Sequence, residues 1–149
     1  MQSQNRRGDF MAVVGFNFTT IDVKKSDIGK GGKINISNNA TIVGIEPLDV
    51  SFGKEKQNTL RVTFEFTSKY EPEIGNIFLA GSTIYMSDAK KSKEIMDGWK
   101  KDKKIPKDVW TEILNTILTK CNVQALILSQ DVNLPPPIPL PKVRLDAKE

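Results

Sequence analysis

Any chemistry in this chain would have to come from carboxylates, lysines, one thiol or the backbone, because its 149 residues include no histidine and a single cysteine. Without histidine there is no Ser-His-Asp or Cys-His nucleophile system, and the commonest transition-metal ligand is missing. Two carboxylate pairs are spaced closely enough for acid–base work, Glu71 with Glu73 and Asp22 with Asp27. Both stand in polar, turn-like contexts where carboxylates are ordinarily solvated. Cys121 falls on the apolar face of a predicted helix, and nothing near it in sequence would lower its pKa, so it reads as a small core residue. The run Gly29-Lys30-Gly31-Gly32-Lys33 lacks the G-x-x-x-x-G-K-S/T spacing of a phosphate-binding loop and joins two strands instead of opening a helix. It is read as a flexible turn. These residues point to a noncatalytic protein with neither cofactor nor metal.

Twenty-two Lys+Arg against 18 Asp+Glu give a net charge of +4, with the two signs interspersed along most of the chain. The densest basic stretch is Lys100, Lys101, Lys103 and Lys104. It could touch a phosphate backbone, which makes a nucleic-acid-binding module the alternative function. No interleaved aromatic platform accompanies it, so a solvated connection between helices is preferred. A lone cysteine forms no internal disulfide, and no leader pattern or span of roughly 20 apolar residues is present, so a cytoplasmic protein without a membrane segment is expected.

Four strands are predicted to carry the fold. Residues 1–11 are read as a flexible extension. From Ala12 the apolar parity Val14, Phe16, Phe18 marks a half-buried strand to about Val23. The second strand begins near Lys33 and is long, with a kink or bulge expected at Asn38-Asn39 and an end at Pro47. A polar turn is expected from Ser51 to Asn58, around Gly53. The third strand has the clearest alternation, with Leu60, Val62, Phe64 and Phe66 on one side and Arg61, Thr63, Glu65 and Thr67 on the other. Ser68 to Glu73 is read as its connection to a fourth strand, Ile74 to Met86. That strand is apolar on both faces, with Phe78, Ile84 and Met86 on one and Ile77, Leu79 and Tyr85 on the other. Such a strand needs cover twice, and a second subunit could provide the outer cover.

Asp88 is placed to cap a short helix in which Ser92, Ile95, Met96 and Trp99 recur at helical spacing. Pro106 suits the first turn of a longer helix, whose stripe runs Val109, Trp110, Ile113, Leu114, Ile117, Leu118, Cys121, Ala125, Leu128 and ends near Asp131. Leu134-Pro135-Pro136-Pro137-Ile138-Pro139-Leu140-Pro141 cannot propagate a helix and favours an extended left-handed conformation. It satisfies PxxP, but Lys142 is misplaced for the usual basic flank. A stiff strap with Leu134, Ile138 and Leu140 as apolar teeth is therefore favoured. The class is α+β: a four-stranded antiparallel sheet, a short and a long helix, and an extended proline-rich C-terminal segment. Residues 12–145 form one domain, and 146–149 a tail.

This element order, together with the Asn133-Leu134-Pro135-Pro136-Pro137-Ile138 helix exit, resembles the SecB export-chaperone family. Tyr70-Glu71-Pro72, Leu114-Asn115-Thr116-Ile117-Leu118-Thr119-Lys120-Cys121 and the LPPPIPLP run are similar to archaeal SecB-like proteins. The resemblance spans roughly residues 13 to 143 and rests on element order and the tail more than on a strict motif. It implies a homo-oligomer, tetramer or dimer, whose protomers pair through sheet and helix surfaces and hold nonnative polypeptides in apolar grooves. Phe16, Phe18, Phe78, Trp110, Leu134, Ile138 and Leu140 are the candidate client-binding residues. SecB proteins are acidic and dock an export motor through that charge; a chain of net charge +4 carries no such expectation.

Overall fold

A computed structural model describes residues 12–26, 33–52 and 55–138. The extension 1–11, Asp27, the loop glycines 29, 31 and 32, Gly53, Leu140, Lys142 and the tail 146–149 lie outside the described residues. The strands are β1 (Ala12–Lys25), β2 (Asn35–Phe52), β3 (Glu55–Glu71) and β4 (Gly75–Ser87), followed by helices α1 (Ala89–Asp102) and α2 (Lys107–Asp131). The sheet order is β1-β4-β3-β2 with every pairing antiparallel. The two helices touch the sheet over the same face, giving the α+β arrangement expected from sequence.

Alternation in β3 and β4 sets the core. Leu60, Val62, Phe64, Phe66 and Tyr70 from β3, and Ile77, Leu79 and Tyr85 from β4, are all buried. Their partners in register confirm a single helix-facing layer: Phe66 opposite Leu79, Leu60 opposite Tyr85 and Tyr70 opposite Gly75. Ile95 from α1 and Val109, Ile113, Ile117, Cys121 and Ala125 from α2 close that layer. The apolar stripe of α2 thus reaches the core through residues four apart, a row that drifts slowly around the helix as it crosses the sheet.

The strand boundaries and bulges differ from the sequence expectation, each for an identifiable reason. Pairing between β2 and β3 is regular through Asn38-Asn39, and the register shift falls between Ile42 and Gly44. Ile42 and Ile45 are both buried while Val43 is 45% exposed. A spacing of three puts two residues on one face only if an extra residue is inserted, and Val43 is that residue. Pro47 does not end β2, which continues to Phe52. β2 is the outermost strand, and an edge can carry a proline whose missing N–H would face outward. The turn expected over Ser51 to Asn58 shrinks accordingly, since Phe52 pairs with Glu55.

β3 runs past the expected connection at Ser68 to Glu71, because Ser68 and Tyr70 continue the inward parity. In β1, shifts between Val13 and Gly15 and between Phe18 and Thr20 separate Val14 from Phe16 and Phe18. Val13 faces Tyr85 and Phe16 faces Thr83, leaving Val14 as an outward bulge residue, 54% exposed. The buried Thr83 hydroxyl donates to the Gly15 carbonyl at 2.7 Å beside that bulge.

The helix ends follow the expected signals. The Asp88 carboxylate accepts the Lys91 N–H at 2.7 Å. At the other end of α1, Lys103 takes a left-handed conformation with φ 59°, and the N–H groups of Lys103 and Lys104 donate to the carbonyls of Trp99 and Gly98. Pro106, expected in the first turn of α2, stands one position earlier, at its N-cap.

Candidate polypeptide-binding site

The sequence candidates fall in four places, not in one groove. Phe16 and Phe18 lie on the helix side of β1 and stack with Phe64: centroids are 5.1 Å apart for Phe16–Phe64 and for Phe16–Phe18, and 6.3 Å for Phe18–Phe64. The trio converges over Gly81, the register partner of both Phe18 and Phe64. A Cβ there would come within 2.1 Å of the Asn17 carbonyl oxygen, so only glycine allows β1 to approach this closely. Both Phe16 and Phe18 remain half-buried at the sheet edge. Lys120 reaches over Phe16, its Nζ 6.0 Å from the ring centre. It also lines, with Asn115, Thr116 and Thr119, an open hollow of about 310 Å³ on α2.

Phe78 is on the opposite face, with Ile84 and Met86. All three are half-buried, flanked by β3 residues in register: Thr67 beside Phe78, Arg61 beside Ile84 and Thr59 beside Met86. Trp110, 37% exposed, follows the buried Val109, whereas Lys120 precedes the buried Cys121. Those offsets place Trp110 and Lys120 on opposite flanks of the buried row, so α2 separates Trp110 from the aromatic trio. Leu134 is buried and Ile138 half-buried in the strap.

The strap residues that the structure describes pack on their own domain. Tyr70 donates its hydroxyl to the Pro135 carbonyl at 2.6 Å, and the Asn38 side-chain N–H donates to the Pro137 carbonyl at 2.9 Å. Ser68 in turn donates to the Asn38 carbonyl oxygen at 2.5 Å, which fixes the orientation of that amide. Burial pushes the Tyr70 phenol up to about 12. Tyr70, Asn38 and Ser68 were not singled out by sequence, since Ser68 and Tyr70 looked like turn residues and Asn38 like a kink. For Ser68 and Tyr70, the parity shared with Phe66 along β3 was the available signal.

Sequence reasoning also passed over Val123 and Ile127, which are 55% and 47% exposed on the outer side of α2. They lie half a turn away from the buried i, i+4 row, where a polar residue is the ordinary choice. The signal was present: two β-branched apolar side chains off the stripe.

The residues weighed for chemistry are dispersed. Glu71 and Glu73 are exposed at the turn after β3, and Asp22 is exposed on β1. Cys121 is buried, and desolvation pushes its thiol up to about 12. Among the described residues, no group of three or more His, Cys, Asp or Glu could hold a metal, and no helix is long and apolar enough to cross a membrane. Lys100 and Lys101 occupy the last turn of α1, where positive charge suits the helix dipole. Lys103 covers the neighbouring Trp99 ring, 4.9 Å from its centre, so that ring is not open as a stacking platform for a base.

Comparison with known proteins adds little to this geometry. No family model and no curated protein matches the chain. Among solved structures it is similar to the Mycobacterium tuberculosis SecB-like chaperone Rv1957 in complex with a ChAD peptide from the Rv1956 HigA1 antitoxin, with 10% identity over 90% of each chain and a TM-score of 0.43.

Proposed function

We propose that this chain is a noncatalytic, SecB-like holdase that binds extended segments of nonnative polypeptides as a homo-oligomer. The observation that carries the reading is the set of large apolar side chains left exposed: Val123, Ile127 and Trp110 on α2, Val14 and Ile21 on the β1 edge, and Val43 on β2. Holding an unfolded chain requires apolar surface and sheet edges for main-chain pairing, and no reactive group. The half-buried Phe16 and Phe18 beside the α2 hollow supply aromatic surface next to such an edge. The sequence resemblance to SecB-like proteins supports the same reading.

Light scattering from a client that aggregates on dilution from denaturant tests the reading. Equimolar protein should suppress the signal without ATP. An unchanged aggregation curve would remove the holdase reading.

A further inference from the structure

We infer that residues 134–138 are the resident ligand of a built site for an extended, proline- and aliphatic-rich polypeptide segment. The site is the Tyr70–Asn38–Ser68 constellation together with the close contact of Leu134 on Gly75. Its two donors address main-chain carbonyls two residues apart, Pro135 by Tyr70 and Pro137 by Asn38. Every residue of any polypeptide offers that carbonyl. The arrangement therefore reads an extended backbone and not a side-chain sequence.

Side-chain selection enters at two teeth. Leu134 is buried against Gly75, where a Cβ would meet the leucine methyl groups at 3.1 and 3.2 Å. Pro137 is buried as well, while Pro136 between them is exposed. The donors are set before the ligand arrives: Ser68 orients the Asn38 amide, and Ser68 and Tyr70 belong to the regular register of β2 and β3.

The resident segment is suited to being exchanged. Pro135, Pro136 and Pro137 have no N–H, so the strap cannot pair with the β2 edge as a strand would. Its prolines hold it extended in advance, and its tether to α2 gives it a high effective concentration at the site. An incoming segment with a leucine and a proline three residues apart would make the same contacts and could add N–H donors to them. The strap then acts as a competitor that keeps the site closed until an extended segment displaces it. The client part of this inference rests on the holdase reading; the site itself does not.

The test uses the full-length chain and a fluorescently labelled peptide of sequence LPPPIPLP. Anisotropy should show at least tenfold tighter binding to a Leu134→Ser/Pro137→Asp variant, whose strap is released, than to the unaltered chain. The single Pro137→Asp variant should show a smaller gain in the same direction. Adding Tyr70→Phe or Asn38→Ala to the released variant should weaken peptide binding about fivefold each, the usual yield of one lost hydrogen bond. Equal binding to altered and unaltered chains overturns the inference, as does absence of binding by variants that keep a native circular dichroism spectrum. Failure of both released variants to fold also overturns it, because the strap would then be a structural part of the domain. In the client assay the released variant should suppress aggregation at lower concentration. Peptide binding without client protection would leave the site standing and remove the holdase reading.

Discussion

The two faces of β4 carry similar apolar side chains and meet different fates. On the helix side, Ile77, Leu79 and Tyr85 are fully buried under α1 and α2 with Phe64 and Phe66 beside them. On the outer side, Phe78, Ile84 and Met86 are half-buried, with Arg61 and Thr67 among their register neighbours. The difference shows that side-chain type does not decide which face forms the core. The decision lies with the flanking strands: β3 offers Val62, Phe64 and Phe66 on one side and Arg61, Thr63 and Glu65 on the other. Cross-strand partners of long polar side chains can screen an apolar strip without a second layer. The outer face therefore needs less cover than its own sequence suggests, and the large apolar side chains left exposed among the described residues stand on α2, at the β1 edge and at the β2 bulge.

The largest effect that would sharpen this contrast is Phe64→Ala. Removal of a fully buried ring from the helix-side cluster should cost about 3–5 kcal/mol, read as a lower denaturant midpoint with an unchanged slope. Gly81→Ala should follow, at about 1–3 kcal/mol, since its Cβ would force β1 away from β4 and break up the stack of Phe16, Phe18 and Phe64.

Alkaline pH should also act through the covered face, where Tyr70, Tyr85 and Cys121, the groups with displaced protonation among the described residues, sit. Burial raises Tyr70 and Cys121 to about 12, and raises Tyr85 with help from nearby Glu112 and Asp108. Each group loses its proton more readily in the unfolded chain, so the unfolded state binds fewer protons and stability falls as pH rises. Denaturation midpoints should decline from about pH 9, the ordinary value for the thiol, and more steeply above pH 10, where the phenols join. A midpoint that stays level to pH 11 would contradict the burial of these groups.

Phe78→Ala, on the outer face, should cost about 1–2 kcal/mol, because the ring is only partly buried. A loss as large as that of Phe64→Ala would break the comparison and show that the outer face is covered in solution. Smallest is Tyr70→Phe, which should remove about 1 kcal/mol or less through its hydrogen bond to the strap.

Much of the fold was legible because hydrophobic period is a local signal. The alternation of Leu60 through Phe66 and the stripe from Val109 to Ala125 need no knowledge of partners, and Asp88 announces α1 by its own side chain. The bulges were not legible. Val14 and Val43 have the composition of inward residues, and only the pairing register shows that each is the inserted one. Pro47 misled because proline ends a central strand and is tolerated on an edge, a distinction set by strand order. The site was harder still. Phe16, Phe18, Phe78 and Trp110 were picked by type, yet their grouping depends on which side of β4 or α2 each one leaves. The donors that hold the strap are a tyrosine and an asparagine, the latter oriented by a serine, and their meaning appears only when residues 134–138 fold back across 65 to 99 positions of sequence.

The bulges have a consequence beyond aiming side chains. Both rims of the sheet are faulted: β1 at Val14 and Thr19, and β2 at Val43. A fibril grows when one rim offers an unbroken ladder of amides and carbonyls to an identical copy, and each bulge breaks that ladder locally, twice along β1 and once along β2. For a protein that exposes valine and isoleucine, those breaks work against rim-to-rim stacking of its own copies.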